Sequence, residues 1–218
     1  MARHNHPEQT VEKILEVSQR LFMEKGYEKT TIQDIIDAVG MSKGVIYYHF
    51  KSKEEVFDAV MAKQFSQTNV FFTELITNTK ASNSREKIIK TLDIISSKSS
   101  LDEMDPVLLA QAKNPQFILA GMHEAIRQDA PVFSKLIQEG VIDGSIKTNN
   151  PLEVAEMLLI LLNIWCNPIL FDRTESETRK RLQFLQTLMR LLGVDVISDN
   201  AIEKLLEGYQ GGYKEKER

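Results

Sequence analysis

Along the first quarter of the chain, apolar positions recur at Val11, Ile14, Leu15, Leu21 and Phe22, with the small Ser18 between them and polar residues elsewhere. Spacing of i, i+3, i+4, i+7 gathers these side chains on one face of a helix over residues 10–24, and Gly26 supplies a stop. A second, shorter helix is expected from TTIQD. Thr31 is a suitable N-cap, Asp34 is three residues on, and Ile32, Ile35, Ile36 and Val39 form the apolar stripe before Gly40. After a two-residue turn, Ser42 stands at the head of a third helix, SKGVIYYHF, with Ile46 and Phe50 four apart and facing inward. Ser52 and Glu55 then open a long helix whose apolar positions, Val56, Phe57, Val60, Met61 and Phe65, continue towards Leu75 without a breaker.

Further on, Ile88, Ile89, Leu92 and Ile95 predict a helix over residues 85–97, followed by the serine-rich break KSSLDEMDP. Pro106, Pro115, Pro131 and Pro151 stand where first turns of further helices are expected, since a missing N–H costs little there. Two strong elements close the chain, over residues 151–171 and 175–192, with a short helix at 200–207 and a polar tail. Residues 158–162 are apolar on every side, so that helix needs cover all round. A helix-bundle homodimer through these last two long elements would provide it. Ten glycines and six prolines in 218 residues leave stretches of about twenty residues without either, and the expected class is all-α. A composition that is 42% hydrophobic and 27% charged excludes a disordered chain.

Charge sharpens this picture in one place. The chain carries a net charge of −4 and a pI near 5.7, yet residues 42–53, SKGVIYYHFKSK, hold three lysines, two tyrosines and a histidine with no carboxylate. Two helices joined by a tight glycine-containing turn, braced by a preceding one, form a helix-turn-helix plan, whose second helix enters the major groove of DNA. Lys43, Gly44 and Val45 would occupy the first turn of that helix. Lysine donates to guanine O6 and N7, valine meets a thymine methyl, and glycine lets the backbone approach. Tyr47, Tyr48 and His49 follow with polar tips on flat bodies, and Thr31 and Lys53 sit at helix starts that favour an anion. Through residue 60 there are eight Lys and Arg against ten Asp and Glu, so basic charge here is arranged rather than abundant. Arg3, His4 and His6 of the N-terminal arm could add to the patch.

The block over residues 21–57, LFMEKGYEKTTIQDIIDAVGMSKGVIYYHFKSKEEVF, resembles the DNA-binding signature of the tetracycline-repressor (TetR) family of bacterial transcriptional regulators. The likeness lies in LF…KGY, the TT before the second helix, YYHF and the K-x-K-E after it. That resemblance implies an all-helical homodimer with an N-terminal three-helix helix-turn-helix domain and a C-terminal helical bundle that binds a small effector and dimerises. On this reading residues 1–53 are the DNA-binding domain and 54–218 the effector-binding and dimerisation domain. The family's contacts carry over onto Thr31, Ser42, Lys43, Gly44, Val45, Tyr47, Tyr48, His49 and Lys53, on a double-stranded, palindromic operator.

The C-terminal part holds no comparable motif. Phe65, Phe71, Phe72, Met104, Phe117, Met122, Phe133, Met157 and Trp165 are candidates for an apolar pocket or plain core. His123, Asn163 and Asn167 share those segments and could orient a ligand. The pocket set expected to matter is Phe71, Phe117, Met122, His123, Met157, Asn163 and Trp165. A domain answering to a protein partner instead would be packed without a cavity. Cys166 is the single cysteine, which precludes an internal disulfide and fits a reducing cytoplasm. No cofactor, metal set or catalytic constellation is expected: His4 and His6 make a weak pair, Glu139 and Asp143 read as a solvated helix face, and no nucleophile motif, phosphate loop or HExxH occurs. The apolar run at 154–171 is interrupted by Glu156, Asn163, Asn167 and Pro168 and is too short to span a membrane.

Overall fold

The computed structural model describes residues 7–98, 113–210 and 213, with the backbone alone at 64–72 and 98. Calls on Arg3, His4, His6, Met104 and Pro106, and on the side chains of Phe65, Phe71 and Phe72, lie outside the described residues. The described residues are all helical, with no strand among them, arranged as two compact units: residues 1–67 with 106–120, and residues 68–105 with 121–218.

In the first unit, α1 (Pro7–Lys25) buries Ile14, Leu15, Ser18, Leu21 and Phe22 on one face. Gly26 at φ +77° turns the chain out of it. Next, α2 (Ile32–Val39) begins in a full capping box: Thr31 accepts from the Asp34 N–H, and the Asp34 carboxylate accepts from the Thr31 N–H. Gly40 closes it in the left-handed conformation. The short α3 (Lys43–His49) buries Ile46, and Phe50 follows it into the core. At the head of α4 (Lys53–Asn78), Ser52 Oγ accepts from the Glu55 N–H at 3.2 Å, and the Glu55 carboxylate accepts from the Lys51 N–H at 2.7 Å. Three rings centre this core. Phe22 meets Phe57 edge-on at 5.4 Å, and Tyr27 lies 4.6 Å from Phe57.

The second unit is built from the end of α4, α5 (Ser84–Lys98), the helices that follow α6, and the chain's C-terminal segment. Here α6 (Pro115–Glu124) passes without a loop into α7 (Ala130–Ile142) through a π-turn at Ala125–Asp129. Pro131 therefore opens α7 as a proline should, but no break precedes it. The widened turn, in which the Ala130 N–H reaches Ala125 O, takes up the room the ring needs against the preceding carbonyls.

The expected single helix over 151–171 divides into α8 (Pro151–Ile160), a π-turn at Leu161–Trp165 and the one-turn α9 (Pro168–Phe171). Pro168 has no N–H to continue the ladder, and Asn167 Oδ1 caps the new turn by accepting from the Ile169 N–H at 3.0 Å. Asp172 at φ +48° ends it. A second capping box, Thr174 with Glu177, starts α10 (Glu175–Leu191), and Ser198 caps α11 (Asp199–Gly208). The core of this unit gathers Ile88 and Leu92 of α5, Phe133 and Ile137 of α7, Leu158 of α8, Leu182, Leu185 and Met189 of α10, and Ile202 of α11.

Two positions here carry direct tests. Gly193 sits at φ +76°, and a Cβ added to it would lie 1.9 Å from Lys147 O, on the loop whose Lys147 N–H donates to Gly193 O at 3.0 Å. Gly193→Ala combines a left-handed backbone with a backbone clash, and is expected to lower unfolding free energy by roughly 3 kcal/mol in urea titration. Asp129, in the first π-turn, has its carboxyl raised to about 6, by burial first and by Glu124 second. A carboxyl raised above its unfolded value is best tolerated when protonated. Its relative contribution to stability is fully present below about pH 4 and is lost as pH rises through about 6. Asp129→Asn should accordingly raise stability at pH 7.5 by about 1 kcal/mol after allowance for solvent screening, with the gain vanishing near pH 4. Equal melting shifts at both pH values would contradict this.

Candidate nucleic-acid interface

With Ile46 and Phe50 buried in the first core, α3 turns its other residues outward. Lys43 is exposed, its Nζ 5.5 Å from the Tyr47 ring centroid, and Val45 is half-buried. Around Gly44 nothing lies within 4 Å of where a Cβ would stand, so the first turn offers bare backbone to an approaching surface. Tyr48 is 82% exposed and Tyr47 39%, while half-buried His49 meets Tyr48 edge-on at 4.9 Å. Burying that much aromatic surface in water serves no folding purpose, so Tyr48 is set out for contact. Ser42 occupies the N-cap of α3 without a side-chain capping bond, which leaves its hydroxyl for an external acceptor.

Two residues expected at phosphates are more committed than the sequence implied. The Thr31 hydroxyl donates to Asp34 Oδ2 at 2.9 Å, and Lys25 Nζ reaches Asp34 Oδ1 at 2.8 Å. Lys25 first, and then Thr31, hold the Asp34 carboxyl at about 2. A carboxylate therefore already occupies the N-terminus of α2, where an anion had been expected. Lys53 Nζ donates to Tyr27 O at 3.0 Å and lies 4.1 Å from the Tyr27 ring centroid, and the Tyr27 hydroxyl donates to Glu54 at 3.2 Å. Burial, with Glu54 next, pushes the Tyr27 phenol up to about 12. One ammonium proton is spent on Tyr27 and the others remain, so Lys53 is positioned rather than removed from use. Tyr27 is the residue that the sequence reading passed over; its place in KGY, ahead of a lysine, was the available signal.

The effector candidates are not brought together. Phe117 packs against the core of the first unit, whereas Met157 and Trp165 pack against that of the second. Met122 is half-buried, and His123 and Asn163 are exposed. Two open depressions occur among the described residues, one lined by Leu75, Lys90 and Ile94, the other by Val141, Ile146 and Leu192, and neither includes any member of the expected set. Cys166 is buried, and burial pushes its thiol up to about 12, which leaves it unreactive near neutrality. No helix among the described residues is long and apolar enough to cross a membrane.

Residues 14–60 match the model of the family described as bacterial regulatory proteins, tetR family. Over 189 residues the chain is 26% identical to the uncharacterized HTH-type transcriptional regulator YfiR of Bacillus subtilis, covering 79% of this chain and 86% of that one. It is also 25% identical over 146 residues to the HTH-type transcriptional repressor KstR2 of Rhodococcus jostii, covering 65% and 70%. Among solved structures, RolR in complex with resorcinol superposes with a TM-score of 0.62 at 18% identity, over 93% of this chain and 96% of that one. A TetR-family regulator from Mesorhizobium loti superposes with a TM-score of 0.58 at 20% identity, over 88% and 100%.

Proposed function

From a TetR-family transcriptional regulator, whose DNA-binding domain occupies residues 14–60, we propose a homodimeric, cytoplasmic repressor that is released from a palindromic operator by a small, largely apolar effector. The observation carrying the DNA-reading role is the outward face of α3, with Lys43, an open Gly44 and an exposed Tyr48 on a helix anchored by Ile46. Lys43, Gly44 and Val45 meet base edges; Ser42, Tyr47, Tyr48, His49 and Lys53 hold phosphates, with Thr31 at the head of α2 beside them. Residues 1–53 form the reading head and 54–218 the effector and dimerisation part, joined by α4.

Dimerisation through residues 151–171 and 175–192 is supported by Leu152, Phe171, Phe184 and Leu191, all at least 42% exposed in the single chain. An effector is supported by the fold's likeness to RolR, solved with resorcinol. Its release mechanism follows from α4: a ligand bound beside that helix shifts the separation of the two recognition helices away from the ~34–36 Å needed for successive major grooves. A ligand with equal affinity for both states would shift nothing.

The test is fluorescence anisotropy against the DNA just upstream of the protein's own gene and a genomic fragment pool, with a scrambled duplex as control, at two salt concentrations. Selective binding with an affinity that falls as salt rises is expected. Equal binding of selected and scrambled duplexes would end the sequence-reading role.

A further inference from the structure

Residues 151–171 contain two carboxylates, Glu153 and Glu156, and no lysine or arginine, while α10 carries Arg179, Lys180, Arg181 and Arg190 against Glu175 and Glu177. The inward stripe of α10, Thr178, Leu182, Leu185 and Met189, is buried. Beside it runs a second stripe, Arg181, Phe184, Leu188 and Leu191, spaced three, four and three, with Phe184 59% and Leu191 80% exposed. Alternating three- and four-residue spacing is the seam of a helix pair, and this seam has no helix of its own chain upon it. On α8, burial of Val154, Ala155, Leu158 and Leu159 leaves Glu153, Glu156 and Ile160 on the opposite side, again spaced three and four.

The arginines of α10 are not equivalent. Arg179 is paired with Glu175 and Glu203, and Arg190 with Asp195. Arg181 donates to the backbone oxygen of Glu177 at 2.9 Å and lies 5.8 Å from the Trp165 ring centroid, but its buried Nε has no acceptor. Arg173 donates to Trp165 O and lies 4.2 Å from the Phe171 ring centroid. Burial, and next the charge of Arg181, lower the Arg173 pKa from its ordinary value. Two guanidiniums thus stand close enough to repel, and among the described residues no ion pair reaches Arg173, Arg181, Glu153 or Glu156. A donor left unmet is costly, and an acceptor from outside relieves it.

We propose that Arg181, with Arg173 behind it, receives the carboxylate of Glu156 from a second copy of this chain, so that the acidic helix α8 of each subunit lies against the basic helix α10 of the other. The proposal rests on the homodimer reading above and assigns its polar specificity. A two-fold axis makes the pair twice, doubling its effect on association. A small anion is a poorer occupant, because neither open depression among the described residues includes these side chains. Exposed Phe184 and Leu191 continue the same face, as a helix partner requires.

Sedimentation equilibrium of the full chain tests this with Arg181→Ala, Glu156→Ala and the double variant. Each single change is expected to raise the dimer dissociation constant roughly tenfold, with the double no worse than the weaker single, because both remove one pair. Additive losses, or singles without effect on an intact dimer, would overturn the pairing while leaving the dimer. A wild-type chain that sediments as a monomer at every concentration would overturn both.

Discussion

Replacing Lys43 and Tyr48 together by alanine is expected to weaken operator binding on the order of a thousandfold while leaving the fold and the dimer unchanged. Each base or phosphate contact of this kind contributes about 1–3 kcal/mol, and two lost from each recognition helix exceed what the remaining contacts recover. Neither side chain supports the core: Tyr48 is 82% exposed and Lys43 is exposed beside it, while Ile46 and Phe50 hold α3 in place from the other side. The two single variants separate the roles. Lys43→Ala should relax preference at one position of each half-site, whereas Tyr48→Ala should weaken all sequences alike. Anisotropy titrations against the operator and its single-base variants measure both, and unchanged affinity in the double variant would remove α3 as the reading helix.

A second large effect is expected from Phe184→Asp with Leu191→Asp. Both side chains stand out from α10 in the single chain, so the change should leave the thermal unfolding of a subunit nearly untouched. Across an interface the same two carboxylates would be buried opposite apolar side chains, raising the dimer dissociation constant a hundredfold or more. Light scattering at micromolar concentration should then show monomer. Operator affinity should fall with it, because one recognition helix docks without its partner in the next groove. A variant that remains dimeric would move the interface away from α10. This outcome is distinct from the loss expected for Arg181→Ala, which tunes association without abolishing it.

Much of the first unit was legible because its signals are local. The Thr31–Asp34 capping box, the Gly26 and Gly40 stops and the burial of Ile14, Ile35 and Ile46 are all fixed by residues within a few positions of one another. The dense motif over residues 21–57 placed the helix-turn-helix, and α3 lies where the spacing of Ile46 and Phe50 put it. The capping boxes at Thr31 and Thr174 are satisfied within one helical turn. They needed no tertiary partner to be foreseen.

What sequence reading missed depends on groups far apart in the chain. The seat of Lys53 on Tyr27 spans 26 residues, and the Arg85–Asp195 pair spans 110. No periodicity announces such pairs. The pocket set failed to assemble for a related reason: Phe117, Met157 and Trp165 have the same chemistry at helical spacing whether they fill a core or line a cavity. Which core each joins is decided by the packing of whole helices, and Phe117 joins a different one from the other two.

The sequence by itself determined the helices, their caps and the one basic, aromatic surface in an acidic chain, because apolar periodicity and short-range capping act through residues that are neighbours along the backbone. Tertiary structure alone decided the π-turns beside Pro131 and Pro168, the clearance at Gly44, the intimate meeting of Gly193 with Lys147 and the unpaired state of Arg181. Each of these is a matter of which atoms from distant segments share a volume. A close-packed interior settles that only when all the helices are in place.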